Sequence, residues 1–438
     1  MRPKGDLAIY IPDNDRLLAV LDGLPSDLRR YSDHAALLIY FTAVQGWRRR
    51  QDEDEGPSRL HSLILRKYIP SRAVTPLRKH LQAQGVLVCE SYSAGHYSTG
   101  YRLAPAFDGL PLRRPLSNNA LIDKWRAWKR STISTNTPEM REVAQRRRPI
   151  TDSMTETLDG LRFCASPGDV ETQLRGRGID PAHLRYACAV IGNVDHDGIC
   201  MDEFGWRVHS ILTNTTATIR PFLRLDGDPF VELDVRNAQP LILAAVLRNP
   251  QPCATYIANA QHNGCAGRRM FLKLIRDVPA AEVDKFARLC EEGSFYEAFM
   301  GKGGSLDRKK VKREVYRDVF FGKPVQRGPI SKVFEGLWPG VYGTLRALKV
   351  RFGYKIVSQI LQRMESVIII DGVCGRIVAD IPGCRFATIH DAALVVAKHG
   401  PDVCRLIRTE FERYGVRAGM RETVLSEHHT LGHDSNGN

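Results

Sequence analysis

The 438-residue chain contains no C-x-x-C pair and no His-Cys cluster. Its ten cysteines (Cys89, Cys164, Cys188, Cys200, Cys253, Cys265, Cys290, Cys374, Cys384 and Cys404) are scattered. That scatter argues against a zinc site or a disulfide framework and for reduced thiols. No apolar run approaches the roughly 20 residues that span a bilayer, and no leader-like segment opens the chain. A cytoplasmic protein without a membrane partner is therefore expected. No internal repeat is visible. Gly301-Lys302-Gly303-Gly304 lacks the spacing of a phosphate-cradling P-loop and reads as a loop.

Acidic residues are also in short supply. Lys and Arg number 63 against 49 Asp and Glu, for a net charge of +14. A balance this basic favours an anionic partner, of which nucleic acid is the commonest. The excess is concentrated at the front: residues 1–150 hold 25 Lys and Arg against 15 Asp and Glu.

Three structured regions and a tail are expected, with an α+β fold class. In residues 1–105, helical patterning runs through Asp33–Trp47, Ser58–Tyr68 and Ser71–Gln84, separated by the acidic loop 51–56. Gly85-Val86-Leu87-Val88-Cys89 follows, then Tyr92, Gly95-His96-Tyr97 and Gly100-Tyr101-Arg102-Leu103. This order resembles a winged-helix domain. The resemblance implies a recognition helix carrying Arg72, Arg78 and Lys79 toward nucleic acid. Residues 106–200 read as a basic helical connector, thumb-like, with Arg113-Arg114, Lys124 to Arg130 and Arg146-Arg147-Arg148 suited to a phosphate backbone. Breaks are expected at Pro167-Gly168 and Pro181. In residues 201–425 short apolar strands alternate with long helices. The tail, 426–438, is polar and expected to be disordered.

Two segments 157 residues apart each set an aspartate at the tip of an apolar strand: Phe230-Val231-Glu232-Leu233-Asp234 and Phe386-Ala387-Thr388-Ile389-His390-Asp391. A strand-end Asp taken alone is as readily a helix cap. A second one, flanked by Ile389 and Leu394, is costly to keep there without a ligand or partner. Between them Arg308, Lys312, Tyr316 and Phe320 recur at steps of four, one face of a helix. Paired carboxylates for divalent metal, beside cations and an aromatic face, fit nucleotide transfer.

Asp234 to Ala245, Asp307 to Gly322 and Phe386 to Val396 resemble, in that order, motifs A, B and C of the family A (DNA polymerase I-like) polymerases. Single-subunit phage-type RNA polymerases share the same palm. The likeness covers roughly residues 200–400, and Gly205-Trp206-Arg207 with Arg220 is similar to the Gly-Arg segment leading into motif A. It implies a palm-and-fingers domain in which Asp234, Asp391 and the Val235 carbonyl hold two Mg²⁺ or Mn²⁺ ions. It also implies that Lys312 acts on the triphosphate and protonates pyrophosphate. Arg308 would neutralise the outer phosphates, Tyr316 and Phe320 would stack on base and template, and Arg207, Arg220 and His390 would approach the nucleic acid. Gln239 stands where the DNA enzymes carry a Glu that blocks a ribose hydroxyl; its bulk favours dNTPs. Ala392 replaces a Glu, and Phe320-Phe321-Gly322 shifts the usual glycine by one. Asn237-Ala238-Gln239-Pro240 is unusual for either branch and suggests a divergent plasmid- or phage-derived lineage. Tyr354 to Ile370, with Gln359, Gln362 and Glu365, reads either as the Gln-bearing helix of that family or as an amphipathic core helix. No exonuclease carboxylate set is present, so proofreading is not expected.

The expected function is a DNA-directed DNA polymerase acting on DNA template, primer and dNTPs. A primase or RNA polymerase using NTPs on the same palm is one alternative. A non-catalytic, DNA-binding replication initiator or regulator is the other.

Overall fold

The computed structural model describes residues 8–49, 58–60, 62–90, 99–130, 137–175, 180–192, 199–215, 217–258, 264–300, 307–325 and 327–425. The acidic loop, the loop after Met300, the wing expected around Tyr92 to Tyr97 and the tail lie outside them. The class is α+β, with antiparallel sheets and many helices. Among the described residues no helix is long and apolar enough to cross a membrane. The chain forms two compact units: Met1–Ser131 with Arg162–Asp197 and Thr215–Phe222, and Thr132–Leu161 with Gly198–Asn214 and Leu223–Asn438. The expected connector 106–200 is thus not a separate body, because its pieces bury themselves in one unit or the other.

In the first unit, strand Ala8–Pro12 pairs antiparallel with Pro111–Pro115. Helix Ser32–Arg49 packs Leu37, Leu38 and Ile39 into the core. The helix expected over Ser58–Tyr68 is shorter. Ser58–Arg59 is instead a strand, drawn into the ladder by Gly100–Leu103, and the helix begins at Ser62. Helix Ser71–Ala83 buries Ala73, Leu77 and Leu81 at four-residue steps. It stops at Gly85, whose φ of 70° suits glycine, with Val86 N–H closing back on Leu81 O (2.8 Å). Strand Leu87–Glu90 then pairs with Gly100–Leu103, the central strand of three. Pro167 and Pro181, expected as breaks, each open a helix. The missing N–H costs nothing in the first turn, and the Ser166 hydroxyl accepts the Asp169 N–H (3.1 Å).

The second unit is organised on strand Asp228–Val235. On one side it pairs with Ala392–Val396 of a hairpin whose outer strand is Phe386–Ile389. On the other it pairs with Met420–Val424. Helix Ala238–Arg248 is buried over every residue from Ala238 to Leu247, so it forms the centre of the core rather than an amphipathic surface. Phe286, Phe295, Phe299, Phe334 and Trp338 make an aromatic cluster, with Phe295 and Trp338 stacked at 5.6 Å.

The Arg146–Arg148 run is a correction. Helix Pro138–Gly160 carries it, and Arg147 is fully buried, bonding Asp371 (2.8 Å) and Trp206 O (2.6 Å). Arg146 joins the same carboxylate. Burial alone would raise the Asp371 pKa, but the two guanidinium groups hold it below the ordinary range. The Arg147 charge serves the core of the second unit, whereas Arg146 and Arg148 stay exposed.

Candidate active site

Beyond buried Val231, strand Asp228–Val235 alternates half-buried Glu232, buried Leu233, half-buried Asp234 and buried Val235. Period-two geometry therefore sets both acids on the face away from the core. Asp234 pairs with Ala392, and Ile389 pairs with Ala392 across the hairpin. The turn His390-Asp391 thus lies just beyond Asp234. His390 is left-handed at φ 55°, a conformation that non-glycine residues adopt rarely. Its exposed ring lies 6.2 Å from His209, which contacts Asp202 (2.9 Å).

The two aspartates feel each other. Burial, then Asp391, then Glu232 push the Asp234 carboxyl up to about 6, against the pull of Lys312 and Arg421. Burial also raises Asp391, opposed by its backbone N–H, Lys312 and Arg207 and aided by Glu232. Two acids that destabilise one another's charge form a site short of positive charge. Among the described residues no group of three His, Cys, Asp or Glu side chains could hold a metal. The pair suits a hard cation that draws its remaining oxygens from substrate, backbone and water.

Asp307 caps the helix Arg308–Glu314, accepting the Lys309 N–H (2.8 Å), and the helix continues as a wider π turn, Val315–Phe320. Arg308 lies 5.0 Å over the Tyr296 ring, bonds Glu297 (2.7 Å) and reaches Asn237 Oδ1 (3.2 Å). Lys312 is exposed, 5.9 Å from the Tyr316 ring, and acts on both aspartates. Tyr316 is half-buried and hydrogen-bonded to Tyr296; burial first, then Tyr296, raises its hydroxyl well above the ordinary range.

Phe320 is a further correction. It is 0% exposed, packed edge-on to Phe334 at 6.3 Å and to Tyr316 at 5.8 Å, so it has no face for a base. The half-buried Phe321, 5.1 Å from Tyr316, takes the outer position. The π turn takes more residues per turn than an α turn, which is why an even four-step count from Tyr316 stops one residue short of Phe321. Lys349, buried, donates to Val319 O (2.6 Å) and Gly322 O (2.9 Å) and ties down this turn; burial lowers its pKa to about 8.

Gln239 is buried, its amide donating to Glu365, and its Oε1 has no hydrogen-bond partner. Glu365 also takes Arg207 at 2.6 Å. Burial first, then Asp391, raises Glu365 to about 7, while Arg207 and Gln239 oppose the shift. Arg207 is therefore engaged by protein, in place of the expected nucleic-acid contact. Gly205 abuts the preceding turn: a Cβ there would come within 2.6 Å of the Gln362 side chain. The segment Gly205–Arg207 is in this way pinned along helix Ile356–Ser366. Glu365, Tyr296 and Asn237 are site residues to which the sequence reading gave no role. The available signal for Glu365 was a carboxylate two residues before the apolar run Val367 to Ile370.

Of the remaining expected residues, Arg220 groups with the first unit, where it bonds Thr215 O (3.2 Å). On helix Ser71–Ala83, Lys79 is exposed and Arg72 bonds the Tyr31 hydroxyl (2.9 Å). Arg78 turns toward the strands and bonds Tyr101, which removes it from an outward-reading face.

No family model and no curated protein matches the chain. Among solved structures, the chain is similar to the POL domain of Pol1 from M. smegmatis in complex with DNA primer-template and dNTP. The identity is 11%, over 69% of this chain and 72% of that one, with a TM-score of 0.28. An overlap of that degree establishes neither a family nor an activity.

Proposed function

We propose that the second unit is a template-directed nucleotidyltransferase, and that its reaction is extension of a DNA 3′ end with dNTPs. The observation that carries this is the antiparallel register that sets Asp234 beside the Asp391 turn, with Lys312 acting on both. Asp234 and Asp391, helped by the Val235 carbonyl, would hold two divalent ions, whose charge would stabilise the attacking 3′-oxygen and the leaving pyrophosphate. Lys312 binds the triphosphate and gives a proton to pyrophosphate as the bond from the α-phosphorus breaks. Arg308 meets the outer phosphates once it exchanges Glu297 for substrate. Tyr316 and Phe321 offer aromatic edges to the base. The first unit, read as a winged-helix-like DNA-binding domain, places this chemistry on a plasmid- or phage-like replicon.

The test is extension of a labelled primer on a DNA template with Mg²⁺ or Mn²⁺, using dNTPs and NTPs in parallel, beside Asp234→Asn and Asp391→Asn. Extension by dNTPs that falls at least about a thousandfold in both variants supports the reading. Extension only by NTPs, or without primer, turns it into a primase or RNA polymerase. Folded protein that binds DNA and synthesises nothing leaves the initiator or regulator reading.

A further inference from the structure

The first unit contains a cavity of about 310 Å³ lined by the turn at Arg30-Tyr31, the start of helix Ser71–Ala83 and the start of helix Asn119–Arg130. Three permanent cations, Arg30, Arg72 and Lys124, line it, and no acid does. Of the acids next in sequence to the lining, exposed Asp123 does not line the cavity and Asp33 is already occupied: one carboxylate oxygen accepts Ser117 N (2.7 Å), Ser117 Oγ (3.1 Å) and Asn118 N (2.6 Å). The two guanidinium groups are held in place. Arg30 lies 4.9 Å over the Tyr31 ring, and Arg72 Nε bonds the Tyr31 hydroxyl. His34 also lines the cavity. It is 6% exposed, and its Nδ1 has no hydrogen-bond partner. A buried polar atom left unpaired is unfavourable, and so is the convergence of like charges, unless something binds.

We propose that this cavity binds a terminal phosphate, carried by a nucleotide or by the end of a nucleic-acid strand. A phosphomonoester is doubly charged near neutral pH and has three acceptor oxygens, which matches convergent guanidinium and ammonium donors. Leu121 and the other apolar lining residues leave room for the attached nucleoside. An internal phosphodiester carries one charge and suits a ridge of cations better than a half-open recess on which three cations converge. The site is independent of the proposed metal chemistry, so binding is measured in EDTA with the intact protein.

Fluorescence anisotropy compares one labelled oligonucleotide with a 5′-phosphate and with a 5′-hydroxyl, and calorimetry titrates a deoxynucleoside monophosphate and inorganic phosphate. Exposed positions give the variants Arg30→Glu and Lys124→Glu, with Lys332→Glu as control. The expected result is about tenfold tighter binding of the phosphorylated strand, lost in both variants and retained in the control. Phosphate-dependent binding of the mononucleotide without that strand preference, again lost in both variants, assigns the source as free nucleotide. Equal binding of both strands with no titration by either small ligand overturns the proposal. So does a phosphate preference that survives both variants.

Discussion

Two carboxylates, buried Glu365 and half-buried Asp371, lie six residues apart on one continuous helical stretch and have opposite properties. Asp371 takes two arginines, Arg147 through bonds of 2.8 Å, and is held below the ordinary range against burial. Glu365 takes one arginine and one neutral amide, stands in the field of Asp391, and is pushed up by burial to about 7. The number of cationic donors decides the sign. A carboxylate with two guanidinium partners is a permanent ion that pins helix to helix. One with a single cation and an amide changes charge within the working pH range, at the edge of the candidate site.

The largest expected effect breaks the first member of the pair. Asp371→Asn strands buried Arg147 and should cost about 3–5 kcal/mol in a denaturant titration. A cost below about 1 kcal/mol would show that Arg147 finds other partners.

The middle effect contrasts the two by pH. Glu365 has a folded pKa above its ordinary 4.5, so folding favours its protonated form. Its contribution to stability is full below about 4.5 and is lost as pH rises toward about 7, by up to about 3 kcal/mol. Asp371 runs the other way. Its contribution is present above its ordinary 3.8 and is lost as pH falls through its lowered folded value. Asp234, raised to about 6, adds a slope of the same sign as Glu365. The difference between wild type and Glu365→Gln in stability from pH 4 to 8 therefore isolates Glu365. Parallel curves would remove it from the titration.

The smallest effect sharpens the comparison. Gln239→Met removes the neutral donor at nearly constant volume. It should cost about 1 kcal/mol and move the Glu365 window to higher pH. An unchanged window would assign the opposing pull to Arg207 alone.

The strand-tip acids and the helix bearing Arg308 and Lys312 were readable because their signals are local. An apolar run ending in Asp and a four-residue step need only a few neighbouring positions. What the sequence reading missed depends on distant partners. Arg147 looked like part of an exposed basic run because Asp371, 224 residues away, is what buries it. Glu365 gained no role because its partner Gln239 is 126 positions away. Phe320 was misread for a different reason: the helix widens under it, and step counting assumes one geometry throughout. The strand Ser58–Arg59 shows the same limit, since two residues become a strand only when Gly100–Leu103 arrives.

The pairing of Asp234 with Ala392 has a consequence for how such a chain can change over generations. Ladder register, not chain length, brings the acids together. Segments can therefore be gained or lost across the stretch that separates them and leave the pair intact. A single residue inserted between Asp228 and Leu233 would instead turn Leu233 outward and bury the acid, and one inserted within Ala392–Val396 would slip the register that brings the Asp391 turn to Asp234. Among descendants, the loops should vary in length and these two short strands should not.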